Sequence, residues 1–391
     1  MRRIIAPSQE CAESPQAFLP AFCPNPYCSE HSADRKPRRK RTRWFVRNGS
    51  YPTAAFGQVP RFRCRRCGRG FSRQSFRLDY YAKRVLDYRA MLQQLVSCTG
   101  TRDLCRLQEC STGTVANRLE RLARQAAAMH GEVLPGLQHS EACVIDGFQS
   151  FAVSKYFPNN INILVGAETQ FFYACDYRTI RRSGAMSRRQ KARRQTLERF
   201  YRADPAGLKQ GFAVLLDAAM RLARRGTPLS IHSDCKREYA AAIAADPHYR
   251  RLAAAGGLEH HTTHSRQART QHNRLFAVNY LDRQFRKDLK ECVRHTVCFA
   301  RNVSNLMQRM LLYRMYHNHF KAFRHRNPEP THAAVAGIDE RWVDRRLSQM
   351  FAWREFLSRS MVTTADRSVW LRQLQTPLKR RGEYLPRFAS D

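Results

Sequence analysis

Nowhere in the 391 residues is there an apolar run of about 18, so the sequence offers no transmembrane helix. Its opening, MRRIIAPSQECAESPQ, carries two arginines but no apolar stretch long enough for a secretory signal, which predicts a cytoplasmic protein with reduced thiols. Acidic residues are scarce: 32 Asp and Glu against 69 Lys and Arg leave a formal net charge of +37. Such an excess opposes compaction unless a polyanion or counterions relieve it, so nucleic acid is the expected partner and a membrane is not. Internal repeats are lacking too. The 13 cysteines are odd in number and scattered, which excludes a simple disulfide framework and fits metal ligands plus core thiols.

What is present begins with RFRCRRCGRGF at 61–71, where Cys64 and Cys67 form a C-x2-C pair among arginines. Upstream, CPNPYC gives Cys23 and Cys28 as a C-x4-C pair. Two close pairs separated by a strand-rich segment can bring four thiolates to one tetrahedral zinc, a structural Zn²⁺ replacing the core that so small a module lacks. His31 is an alternative to Cys28 as the fourth ligand. Arg61, Arg63, Arg65 and Arg66, with Arg69 and Arg73, would then be displayed for phosphate contact. SADRKPRRKRTR at 32–43 reads as a basic arm.

From 81 the pattern turns helical. TRDLCRLQECSTGTVANRLERL reads as a helix at about 101–108, a turn, and a second helix capped by Ser111 or Thr112. This is a helix-turn-helix pattern, with Thr114, Asn117, Arg118 and Arg121 on the expected recognition helix; an ordinary bundle with a solvated polar face is the competing interpretation. GEVLPGLQ at 131–138 reads as a linker, and Cys98, Cys105 and Cys110 as core residues.

Beyond 141 come three strand-like runs, a helix, a short strand ending in IHSD, another helix and a long helical region from about 275 to 320. Asp146 sits inside the apolar run CVIDGF and Asp234 ends PLSIHSD. Aspartate is poorly favoured in a strand, and two on neighbouring buried strands repel, so a shared Mg²⁺ is expected there. Each has a plainer explanation, a turn before Gly147 for Asp146 and a helix cap for Asp234. In AVNYLDRQFRKDLKE, Asn279, Asp282, Arg283 and Arg286 fall on one helical face, offering a third ligand, either Asn279 or Asp282, and two phosphate-binding arginines. RRSGAMSRRQKARR at 181–194 reads as a DNA-contacting loop or a solvated helix face.

Taken in order, CPNPYC, RNGS, RFRCRRCGRGFS, VIDGF, IHSD and RHTVCFARNV resemble the bacterial insertion-sequence transposases of the DDE type, in particular those with a zinc ribbon, over residues 23 to about 305. The resemblance implies an α+β, multidomain chain: a zinc ribbon with basic arm (1–80), a helix-turn-helix domain (81–130), an RNase H-like catalytic core with a mixed sheet (140–320) and a helical basic tail (321–391). It implies catalytic metal binding by Asp146 and Asp234. The family's third acid is a glutamate with a basic residue seven positions on; here Asn279 and Arg286 stand in those places, a departure that leaves Asp282 as the other ligand. It further implies Mg²⁺-dependent cleavage at element ends and strand transfer into double-stranded target DNA, by a homo-oligomer associated with the nucleoid when bound.

Overall fold

The computed structural model describes residues 18–32, 44–137, 141–264, 266–324 and 330–379. Most of the basic arm expected at 32–43 lies outside these residues, as does the chain beyond 379. Strands β1 (Phe45–Thr53), β2 (Gly57–Cys64) and β3 (Gly70–Ser72) form an antiparallel sheet in sequence order. Along β2 the side chains alternate, Phe62 and Cys64 inward and Arg61 and Arg63 outward. The small core beneath is mostly aromatic: Trp44, Phe45, Phe62, Phe71, Phe76 and, from far along the chain, Phe356. The RNGS word marks an irregularity in β1, where the register shifts between Arg47 and Ser50 and Gly49 adopts a φ of +70°.

Helices α1 (Tyr88–Leu95), α2 (Thr101–Leu107) and α3 (Thr112–Val133) follow. Ser111 caps α3, its hydroxyl accepting from the Thr114 N–H at 3.2 Å. The expected linker is instead packed structure, because α3 continues to Val133 and a 3-10 turn carries the chain to Gly136. A Cβ at Gly131 would collide with the Met361 carbonyl, so a glycine there lets a C-terminal segment lie against the helix.

Strands β4 (Cys143–Phe151), β5 (Pro158–Gly166), β6 (Phe172–Thr179), β7 (Leu229–Asp234) and β8 (Leu258–Thr263) form the expected mixed sheet, in the order β6-β5-β4-β7-β8. The first three are antiparallel neighbours; β7 runs parallel to β4, and β8 parallel to β7. Because β5 is covered on both sides, its sequence NNINILVG is buried throughout. Ile161, Ile163 and Val165 face α8 (Phe276–Asp288) and α9 (Val303–His319), while Leu164 faces α5 (Gly207–Leu222). Between β6 and α5 lies α4 (Arg188–Glu198), none of whose residues is buried. Helices α6 (Arg237–Ala245) and α7 (Pro247–Ala254) lead from β7 to β8.

The C-terminal region is helical as expected, in α10 (His332–Val335), α11 (Glu340–Ala352) and α12 (Thr364–Trp370). It is not a trailing segment. Val343, Leu347 and Met350 of α11 and Trp370 of α12 share one core with α1, α3, β4, α8 and α9. Within it Arg314 and Asp366, both almost wholly buried, pair at 2.6 and 3.2 Å.

Candidate functional site

Two clusters of chemistry stand out. In the first, the thiols of Cys23, Cys28, Cys64 and Cys67 all lie within 4.8 Å of one another. The Cys23–Cys67 and Cys28–Cys64 sulfur distances are both 3.7 Å. A tetrahedron with metal–sulfur arms of about 2.3 Å has edges of roughly 3.8 Å, so this donor set fits a single zinc. The backbone amides of Glu30 and Arg66 donate to Cys28 and Cys64 Sγ at 3.4 Å. His31 is excluded as a ligand: its Nδ1 is 2.7 Å from the Cys23 carbonyl oxygen and its Nε2 2.7 Å from Ser358 Oγ. The histidine fastens the C-terminal segment to the ribbon, and Arg359 assists by stacking on Phe22 at 3.9 Å and donating to the His31 carbonyl.

Around this cluster Arg61, Arg63, Arg65 and Arg66 are exposed, Arg66 leaning 3.3 Å from Glu30. On α3, Thr114 and Asn117 are half-exposed at the helix start. Arg118 and Arg121 are not: they are 6% and 9% exposed, and their guanidiniums donate to the Arg84 and Leu78 carbonyls. The structure thus corrects their expected role, because α3 turns that side toward its own neighbours and both arginines stabilise buried Asp79. The start of α3, as far as Asn117, is left exposed or half-exposed apart from Val115. Cys105 and Cys110 pack against the main core as expected.

The second cluster is a cleft of about 440 Å³ at the end of the five-stranded sheet. Asp146, Asp234, Asn279, Asp282, Arg283 and Arg286 all line it, so the fold brings together the expected residues of β4, β7 and α8. The parallel ladder explains the first meeting: Cys143, Val144 and Ile145 pair with Ile231, His232 and Ser233, and one further step in that register sets Asp146 beside Asp234. Phe148 and Phe285 in edge-to-face contact at 5.4 Å lock α8 onto β4, which holds the polar face of α8 over the aspartates.

Lys236, two residues past Asp234, went unnoticed in the sequence. Its ammonium lies 2.9 Å from Asp146 Oδ1 and 2.8 Å from Asp234 Oδ2, bridging both carboxylates. Burial opposes the lysine's charge, yet Asp146, Tyr239 and Asp234 together outweigh it and raise its pKa. Burial and the neighbouring Asp146 charge raise the pKa of Asp234, with Lys236 pulling the other way. Burial, then Asp146, push the Asp282 carboxyl up to about 7, and its Oδ1 is shut off from solvent without a hydrogen-bond partner. Arg286 stacks on Phe148 at 4.7 Å and donates to the Gln149 and Cys292 carbonyls at 3.4 Å. Arg269 and Arg294, also missed in the sequence, complete a basic rim.

The donor set fits a divalent cation in character. Two carboxylates already converge on one positive charge, and a third oxygen is buried and unused. It is looser than the cysteine site, which among the described residues is alone in holding three or more ligand atoms within 4.8 Å of one another. Among the described residues no helix is long and apolar enough to cross a membrane.

No family model matches the chain, and no curated protein matches it. Among solved structures it is similar to a chain in the cryo-EM structure of the simian T-cell lymphotropic virus intasome in complex with PP2A regulatory subunit B56 gamma. The identity is 13%, the match covers 61% of this chain and 71% of that one, and the TM-score is 0.27. A likeness that slight carries no weight for fold or function.

Proposed function

We propose that this chain is a DNA transposase of the zinc-ribbon DDE type, with an RNase H-like core that cleaves element ends and joins them to target DNA. The observation that carries this is the convergence of Asp146 and Asp234 on one cation, beneath a helix whose Asp282 oxygen is unused and beside four arginines. The strand order β6-β5-β4-β7-β8, with the aspartates on adjacent parallel strands, supports the RNase H-like assignment.

Asp146 and Asp234 would hold Mg²⁺, which supplies Lewis acidity toward a phosphodiester. Asp282 is the third ligand of choice over Asn279, since its carboxylate brings charge and a free oxygen. Arg283 and Arg286 neutralise the flanking phosphates, and the Arg286 stack on Phe148 fixes its reach. Lys236 keeps the carboxylates paired until the cation displaces it. The ribbon arginines Arg61, Arg63, Arg65 and Arg66, with Thr114 and Asn117 at the start of α3, would bind the element ends, two copies of the chain acting on paired ends. The functional division into ribbon (1–80), DNA-binding helices (81–130), core (140–320) and C-terminal helices (321–391) belongs to the same proposal.

A second reading, a DNA-binding regulator without catalysis, draws on one observation: Lys236 already neutralises both aspartates. A plasmid carrying the gene with its natural flanks, incubated with the protein and Mg²⁺, separates the two. Joined products that disappear with Asp234→Asn support the transposase. Cutting without joining points to a nuclease, and flank binding without cutting to the regulator.

A further inference from the structure

The basic segment that follows β6 folds as α4, and among the described residues α4 is unlike the other long helices. A helix that buries no residue has no hydrophobic reason to exist. What holds it is local: a reciprocal Ser187–Gln190 capping box, Arg181 to Glu198 at 2.7 and 3.0 Å, and Arg194 reaching the Arg182 carbonyl at 2.9 Å. These contacts employ Arg181 and Arg194. Arg188, Arg189, Lys191 and Arg193 remain exposed, with no acidic partner among the described residues. Four uncompensated cations on one short helix repel one another, so a polyanion is the fitting occupant.

The location of α4 gives this charge a use. Arg189 and Arg193 line a groove with Tyr156, which sits in the turn joining β4 to β5, and the Arg182 guanidinium stacks on Tyr156 at 4.7 Å. That turn terminates the strand bearing Asp146, so cleft and groove lie toward the same end of the sheet. From Asp146 to the end of β4 at Phe151 is five residues, roughly 17 Å at the rise of a strand. The segment carrying Arg294 and Arg301 spans the interval: Phe299 packs on Phe151 at 5.2 Å and the Ala300 carbonyl accepts from the Val153 N–H at 2.7 Å. A duplex with one phosphate in the cleft and its axis along β4 would pass the Tyr156 turn, against which Arg189 and Arg193 of α4 lie, about five base steps away, at about 3.4 Å per step.

We propose that α4, with Tyr156 and Arg182, is a second phosphate-binding surface that grips duplex DNA about five base steps from the phosphate held in the cleft. It rests on the proposed function only for which phosphate occupies the cleft. The grip is to the backbone: arginine side chains spread around a solvated helix meet phosphates, not one groove edge, so it adds affinity without sequence choice.

The test uses the full chain carrying Arg188→Gln, Arg189→Gln and Arg193→Gln together, with binding of a 30-base-pair flank duplex measured by anisotropy between about 50 and 200 mM salt. Loss of three phosphate contacts lowers the slope of log affinity against log salt by about 2.7, with affinity at the low-salt end down roughly ten-fold or more. The melting temperature should not fall, since no buried residue is changed and like-charge repulsion is relieved. Hydroxyl-radical footprints should lose protection about five steps from the cleft-bound position. An unchanged slope and footprint would overturn the proposal, as would an equal loss for unrelated anionic vesicles with none for DNA. Absence of cleavage by the wild type, with the binding loss intact, would sink the transposase reading and leave this surface standing.

Discussion

Gly147 shows how little freedom β4 has beside the cleft. A Cβ there would run into the buried Asn160 side chain of β5, and the Gly147 N–H donates to Asp146 Oδ1 at 2.7 Å. Gly147→Ala should therefore cost about 1–3 kcal/mol through overpacking and displace Asp146, so that Mg²⁺-dependent cleavage falls further than stability does. Melting and cleavage on the same preparation check this, and full cleavage with normal stability would contradict it. At Lys236 the expectation is opposite in sign. Lys236→Gln removes the resident ammonium and should strengthen Mg²⁺ binding in a calorimetric titration; weaker binding would mean that the lysine organises the site rather than guards it. Aspartates in strands were legible from sequence because they violate a local preference, and the α8 face because it follows helical spacing. Lys236 was not, since a lysine after a strand is unremarkable until its partner on β4 is placed, 90 residues away.

At the scale of elements, α9 and α10 are pinned to the β5–β6 turn by histidines. His317 and His332 stack with ring centroids 3.9 Å apart, and they bond to the Gln170 and Thr169 carbonyls at 2.9 and 3.0 Å. Burial holds His332 down at about 4 and His317 well below its ordinary value, Lys321 adding to both. With folded values below unfolded ones, the unfolded chain binds more protons, so stability is intact above about pH 6.5 and declines as pH falls toward 4. His332→Gln should flatten the melting profile across that window, by an amount on the order of 3 kcal/mol at its acid end. An identical profile would remove His332 from the account. The ribbon obeys a different logic, because its core is small and a metal held by the four cysteines would add to its folding. Zinc removal, or Cys64→Ser, should lower zinc content and duplex affinity together; retained affinity after full zinc loss would separate the arginines from their scaffold. The close cysteine pairs made this module readable in the sequence. The polar face of α3 misled for a physical reason: whether a helical arginine is solvated or buried depends on neighbours, here Leu78 and Arg84, that helical spacing does not reveal.

Across the whole molecule, the contacts that join the parts are long-range and therefore invisible to local pattern. The last helices bind back through Arg346 to Glu132 at 2.6 Å, Arg372 to Glu120 at 2.6 Å, and the buried Arg314–Asp366 pair. Breaking the last by Arg314→Met leaves a buried carboxylate uncompensated and should cost about 3–5 kcal/mol, read from denaturant unfolding. A cost below about 1 kcal/mol would mean that the C-terminal helices are dispensable to the core. These helices place the ribbon, through His31 and Phe356, on the same body that holds the cleft, which under the proposed function would let DNA held by one reach the other. The central claim is that Asp146 and Asp234 jointly hold a catalytic divalent cation. Mn²⁺ titration followed by electron paramagnetic resonance, on the wild type, Asp146→Asn and Asp234→Asn, tests it most directly. Tight Mn²⁺ binding by the wild type that either substitution weakens at least ten-fold is the predicted result; equal binding by all three proteins would contradict it.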